Sequence, residues 1–390
     1  MALSHHLEHL DQKHLSLTYK ALTAVAVATA LTLYFQSTLL KEIIGEANVG
    51  IFFAITYAVA MVSVFVFPRF LKRYGVRNNL LALLSATLGV LGVLAFGAPY
   101  AQLIALALYE VCLTLLGITL DVMLESFSKD ALTGSIRGKA YTMINIAFVV
   151  APSVAGILVS SWGFKALFSS AALVLLPLLC LCAFRFKFRH LPTNHQPPLR
   201  NIFTSIVRSP ALSRIFFISF LLNFFYAWMI IYATLHLHNL GFQSYEIGNI
   251  LSVMLLPFVL IQYPAGRIAD KWLGEKELLT VGIVVIAGAS VSMAFLTQPV
   301  MWHWMLALFM TRVGAALIEI MRDTYFFKQI DFRDVHLTSF FRDTGPLAYV
   351  VAPLLATFLL QFTTIPTLFI VLGIIMLTGL TASLTLKDTK

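Results

Sequence analysis

Long apolar stretches separated by short polar ones run the whole length of the chain. Stretches of spanning length fall at 21–40, 49–68, 79–97, 101–126, 140–161, 166–184, 215–237, 247–266, 278–296, 302–327, 346–362 and 366–386. Each is close to the roughly 20 residues that carry a helix across about 30 Å of hydrocarbon. None alternates with the period of two that a membrane β-strand needs. The pattern predicts an all-α integral membrane protein of twelve transmembrane helices in two sets of six, an N-terminal half over 21–184 and a C-terminal half over 215–386. Residues 185–214, with Lys187, Arg189, Pro192, Pro197, Pro198 and Arg200, are too charged and proline-rich to insert and are read as the loop joining the halves. Residues 1–20 and 387–390 are read as tails.

Composition agrees with that pattern. Of 390 residues, 59% are hydrophobic and 12% charged, where a soluble domain carries about 45–50% and about 25%, so almost nothing remains for a water-facing domain. The net charge of +9 would suggest nucleic acid until the basic residues are sorted by loop. With the N-terminus inside, and Arg322 counted at the cytoplasmic end of its span, 24 of the 27 fall on the cytoplasmic side, only Lys41 and Lys165 lie outside, and Arg312 sits mid-span. That asymmetry is the positive-inside rule, so the basic balance expresses orientation and contact with the lipid bilayer, with both termini cytoplasmic and no nucleic-acid partner. The three cysteines make no disulfide framework and no metal-ligand spacing, and they are read as packing. The four histidines between His5 and His14 are read as a solvated tail. No metal site and no cofactor is expected, and no glycine-rich nucleotide loop occurs. The absence of Asn-x-Ser/Thr acceptors, together with very short outer loops, fits a bacterial inner membrane.

The halves repeat one another. Ala147-Phe148-Val149-Val150-Ala151-Pro152 in span five recurs 201 positions later as Ala348-Tyr349-Val350-Val351-Ala352-Pro353 in span eleven. Asn48-Val49-Gly50 answers Glu246-Ile247-Gly248 at an offset of 198, and the following loops also correspond, Pro68 to Tyr74 against Gly266 to Trp272. Parallel repeats of six spans are one of the known transporter arrangements.

Gly266, Asp270, Lys271, Gly274 and Lys276 fit the cytoplasmic loop signature of the major facilitator superfamily, which the chain resembles over essentially its whole length. The first-half copy has Pro68 for the glycine and Lys72 for the acid, but keeps Arg73, Gly75 and Arg77. Span five, with Ala147, Ala151, Pro152, Ala155 and Gly156, resembles the family's antiporter motif. Small residues four apart also let helix backbones touch in lipid, and helix packing is the competing reading. The resemblance implies that the first and fourth helices of each half surround a central cavity and that a monomeric chain carries a small solute by alternating access.

Ionisable groups within hydrocarbon are costly and mark function. In span four, Glu110, Thr114, Gly117, Asp121 and Glu125 fall within about 80° of one another at helical spacing. Arg312, Glu319 and Asp323 fall within about 40° on span ten. Glu110 and Arg312 lie about 13–17 Å from the outer ends of their spans, near mid-membrane, and the 201 offset carries Glu110 to within one residue of Arg312. The expectation is that both contribute to a substrate and proton site, or else form a permanent structural ion pair. Thr114, Tyr34, Gln36, Asn223 and Tyr226 would complete that site. Asp121, Glu125, Glu319, Asp323, Arg73, Arg137, Gly266, Asp270 and Lys271, nearer the cytoplasmic ends, would form a gate, Gly266 by permitting close helix approach. His236 and His238, near an outer end, are read as solvent-exposed.

No nucleophile, base and orienting group occur together, so the chain is not expected to be an enzyme. The functional reading is a secondary transporter of a small solute, coupled to protons. The antiporter-like span favours export of amphipathic compounds, whereas an acid on span four favours proton-coupled uptake. A non-transporting receptor or scaffold is the alternative from another class. Reporter tags fused to either terminus are expected on the cytoplasmic side; termini on opposite sides would end the even-numbered topology.

Overall fold

In hydrocarbon no water satisfies the backbone, so an apolar run must close its own hydrogen bonds as a helix. In the computed structural model, residues 2–126, 133–185, 209–329 and 344–386 are described, and all regular structure among them is helical. The first half contains α1 (Ala2–Leu33), α2 (Gln36–Ile44), α3 (Glu46–Phe96), α4 (Pro99–Ser126) and α5 (Thr133–Arg185). The second contains α6 (Pro210–Asn239), α7 (Ser244–Leu255), α8 (Pro257–Leu260), α9 (Gln262–Ile268), a π-helical turn (Ala269–Leu273), α10 (Glu275–Met293), α11 (Met301–Gln329), α12 (Thr344–Leu360), α13 (Ile365–Leu377) and α14 (Gly379–Thr385).

At 51 residues α3 would extend about 76 Å as a straight helix, more than twice the hydrocarbon thickness. It turns at Gly75, whose φ of 76° and ψ of 164° suit glycine alone. Asn79 closes the break, donating from Nδ2 to Gly75 O at 2.7 Å and Phe70 O at 3.1 Å. In α5 the same service falls to Gly163, at φ 73°. The position 201 residues on is Thr364, where φ is −116° and no glycine is needed. Among the described residues there are nine helical stretches long and apolar enough to span, and α12 is a shorter tenth. With α3 and α5 each holding two, the segments agree with the expected twelve.

The described chain divides into two compact units, Met1–Leu39 with Val59–Thr193, and Leu40–Ala58 with Asn194–Lys390. The duplication boundary is therefore not the packing boundary. Within the first unit α1 lies along α5, and Ala147, Ala151 and Ala155 are buried. Arg77 Nη2 donates to Ala183 O at 2.9 Å, tying the second limb of α3 to the end of α5. Residues 1–20 are not a separate tail, because α1 runs back to Ala2 without a break and Leu17 and Thr18 are buried.

Within the second unit α12 lies along α6, and Ala348, Ala352 and Ala356 are wholly buried. The repeated strings thus do the same packing work in both units. The start of α3 joins here: a Cβ on Gly50 would strike Thr357 Oγ1, Tyr232 Oη and Pro353 O, the last at 2.9 Å. Beside it the rings of Tyr57 and Tyr349 meet edge-on at 4.9 Å. Nearby, Asn239 donates to Glu46 at 2.9 Å, and Lys41 reaches both Asn239 and Glu46, the latter at 3.6 Å. The tightest helix contact is between α10 and α11, where a Cβ on Gly314 would lie 2.6 Å from Gly282 O and Ile286 N.

Gly266 behaves differently from its expected role, since nothing lies within 4 Å of a Cβ placed there; close approach in this unit belongs to Gly50, Gly282 and Gly314. Residues 186–208 of the joining loop and the 387–390 tail lie outside the described residues. Gly314→Ala is expected to cost about 1–3 kcal/mol of stability through overpacking, while Gly266→Ala is neutral or gains about 1 kcal/mol in helix propensity. Thermal unfolding in detergent separates the two, and equal effects would contradict the close α10–α11 contact.

Candidate functional site

Each unit holds its own group of buried polar side chains. In the first, the span made by α1 and α2 breaks at Tyr34–Phe35 although neither proline nor glycine is present. Thr32 stands just before the break, its hydroxyl shared between Ala28 O and Thr29 O, both at 3.2 Å, a back-bond of the kind that favours a bend. It also meets Tyr109 Oη at 3.1 Å. The break starts α2 at Gln36, whose Nε2 donates to Glu110 Oε1 at 2.8 Å. Gln36 is 1% and Glu110 5% exposed, so this is a carboxylate held inside a span by a neutral amide. Gln36 Oε1, Ser37 Oγ and Thr38 Oγ1 are buried without a hydrogen-bond partner among the described residues. Tyr34 is buried at the break, and Thr114 donates back to Glu110 O at 2.8 Å.

The stripe below Glu110 grows more exposed along α4, with Thr114 half-buried and Gly117 and Asp121 exposed. The side chain of Glu125 lies outside the described ones, as do those of Arg137 and Asp270. Arg73 and Lys271 are exposed, and Arg73 packs its guanidinium over the ring of the adjacent Tyr74 at 5.4 Å.

The second unit's group centres on Arg312. Its side chain is 1% exposed, and its guanidinium carbon stands 5.0 Å from the Phe225 ring centre and 5.5 Å from that of Tyr226. Nε and Nη1 are buried with no hydrogen-bond partner among the described residues. Arginine cannot discharge itself by losing a proton. Desolvating the cation costs several kcal/mol, and each unmade hydrogen bond about 1–3 kcal/mol more. Cation–π contact returns only about 2 kcal/mol when desolvated. As it stands the group is a net cost to the fold.

About two to three turns further along α11 the charges are already satisfied. Tyr226 Oη donates to Glu319 Oε2 at 2.7 Å, and Gln262 Nε2 to Glu319 Oε1 at 3.2 Å. Asp323 accepts from its neighbour Arg322 at 2.7 and 2.8 Å, and Arg322 also reaches Ser219 Oγ at 3.2 Å. Glu319, expected at the cytoplasmic gate, accepts from Tyr226 and Gln262, which links it to the residues around Arg312. Asn223 donates to Ser219 O at 2.9 Å, and its Oδ1 lies toward Gly345 at the start of α12.

Gln262 was not among the expected residues. A single amide in an apolar stretch, five positions after Pro257, was its only signal. Pro257 starts the four-residue α8, and the turn at Ile261 sets Gln262 at the head of α9. His236 also departs from expectation: it is 6% exposed, with its ring edge-on to Trp304 at 5.2 Å and Phe369 at 5.4 Å, while His238 is exposed as read.

Polytopic helices, a repeated small-residue packing face and uncovered polar groups within the spans define a membrane transporter. The chain belongs to the Major Facilitator Superfamily, whose family model matches residues 21–336 and 237–390. It is a multi-pass secondary transporter, not an enzyme. Among solved structures it is similar to the nucleoside transporter NupG in a D323A mutant, with a TM-score of 0.73 at 13% identity over 95% of this chain and 99% of that one. No curated protein sequence matches it.

Tyr226→Phe removes the donor to Glu319 and is expected to lower stability by about 1–3 kcal/mol. Chemical unfolding in detergent measures this, and a loss-free variant would mean that Gln262 alone satisfies the carboxylate.

Proposed function

We propose that this transporter moves its solute together with, or in exchange for, protons, and that Glu110 is the group that carries the proton. The observation behind this reading is a carboxylate 5% exposed in the middle of a span, facing the Gln36 amide at 2.8 Å. A neutral amide can donate to a carboxylate, and by rotating can accept from a carboxylic acid, so Gln36 serves both protonation states without a change of fold. A fixed ion pair would hold one state only. Burial disfavours the charged form and water favours it, so a conformational cycle that wets and dries the carboxyl takes up and releases its proton. Thr114 and Tyr34 are proposed to act with Glu110 in the first unit, and Arg312, Tyr226 and Asn223 to bind solute in the second.

The exposed charges Asp121, Arg73 and Lys271, with Glu125, Arg137 and Asp270, are proposed to act at the cytoplasmic gate. The bacterial inner membrane is the proposed location.

Purified protein in sealed vesicles under an imposed pH gradient tests the proton role by following internal pH while solutes are screened. Solute-dependent proton movement is expected from the wild type and is expected to be lost in Glu110→Gln, with solute binding retained. Proton movement unchanged in that variant would remove Glu110 from the role.

A further inference from the structure

We propose that the transported solute is an organic anion, a carboxylate on a planar apolar body, and that Arg312 with the Phe225 and Tyr226 rings is where the second unit holds it. The inference deepens the transport reading above and rests on it.

Every other charge near Arg312 on α11 has its partner. Glu319 is engaged by Tyr226 and Gln262, and Asp323 by Arg322. Arg312 alone of this group has buried N–H donors that nothing in the described residues accepts. A guanidinium is planar, permanently charged and shaped for carboxylate. Two aromatic rings lie within 5.5 Å of it, and such faces suit a flat apolar body next to the ionic end. A neutral solute would make hydrogen bonds but leave the buried charge uncompensated. An anion supplies both, which selects acid over amide of the same shape. Carried in the same direction as the one proton assigned to Glu110, a monovalent anion moves without net charge and its transport is insensitive to membrane voltage, whereas exchange of the anion for that proton would be electrogenic.

The test uses the full chain in nanodiscs, with thermal unfolding recorded against benzoate, phenylacetate and indole-3-acetate, and against benzamide as the neutral isostere of the first. At least one carboxylate is expected to raise the unfolding temperature saturably, with benzamide about tenfold weaker or silent. Arg312→Met is expected to lose the shift, and Arg312→Lys to keep a weakened one, since the charge survives without the fork. Without ligand, Arg312→Met is expected to unfold at or above the wild-type temperature, because a buried charge lacking a counter-ion has been removed. A markedly destabilised ligand-free Arg312→Met would show a structural cation and overturn the proposal. So would carboxylate shifts that persist in Arg312→Met, or no shift from any of the three acids. If the proposal fails in these ways while a neutral solute still drives Glu110-dependent proton movement in vesicles, the transport reading stands alone. Arg312-dependent carboxylate binding with unchanged proton movement in Glu110→Gln separates the two the other way.

Discussion

The constraint on which everything else in this protein depends is that hydrocarbon offers no hydrogen-bond partner. It forces the chain into helices, and it makes each place where a helix stops a problem that a side chain must solve. Asn79 caps the carbonyls freed at Gly75. Thr32 takes two carbonyls above the break that begins α2 at Gln36. Pro257 interrupts the eighth span and brings Gln262 to Glu319. Two of the breaks also bring amides to buried carboxylates, Gln36 to Glu110 and Gln262 to Glu319, the latter accepting as well from Tyr226 within the unbroken α6.

The two units solve the burial of charge differently. In the first, Glu110 meets a neutral amide that tolerates either protonation state. In the second, Glu319 and Asp323 are given donors, and Arg312 is given only ring faces. A titratable group with an adaptable partner and a permanent charge short of hydrogen-bond acceptors are complementary devices, one suited to a proton and the other to a counter-ion.

Much of the architecture was legible in the sequence because lipid imposes simple rules. Apolar run length located the spans, and the 201-residue repeat exposed the duplication. The repeated alanine strings were legible as packing, and Ala348, Ala352 and Ala356 are indeed wholly buried. The inner site was legible only in part. Arg312 and Glu110 stood out as charges in apolar runs, whereas Gln262 did not, because an uncharged amide is cheap enough in a span to pass as incidental. Glu319 was assigned to a gate from its depth alone, and depth along a helix does not reveal that a tyrosine from another helix reaches it. His236 was misread for the opposite reason: nearness to a span end says nothing of the Trp304 and Phe369 rings that cover it. Gly266 carries the family signature yet has open space around it, while Gly282 and Gly314, with no motif to mark them, sit in close helix contact.

The packing of residues 40–58 with the second unit has a consequence for how such a protein is assembled. Synthesis from the N-terminus delivers Gly50 and Glu46 to the membrane long before Tyr232, Thr357 and Asn239 exist to receive them. The second span therefore waits with its glycine notch unfilled until the seventh and eleventh arrive. A chain severed in the joining loop would divide this unit between two fragments, each lacking something the other holds, so the halves of the duplication are not independent folding pieces.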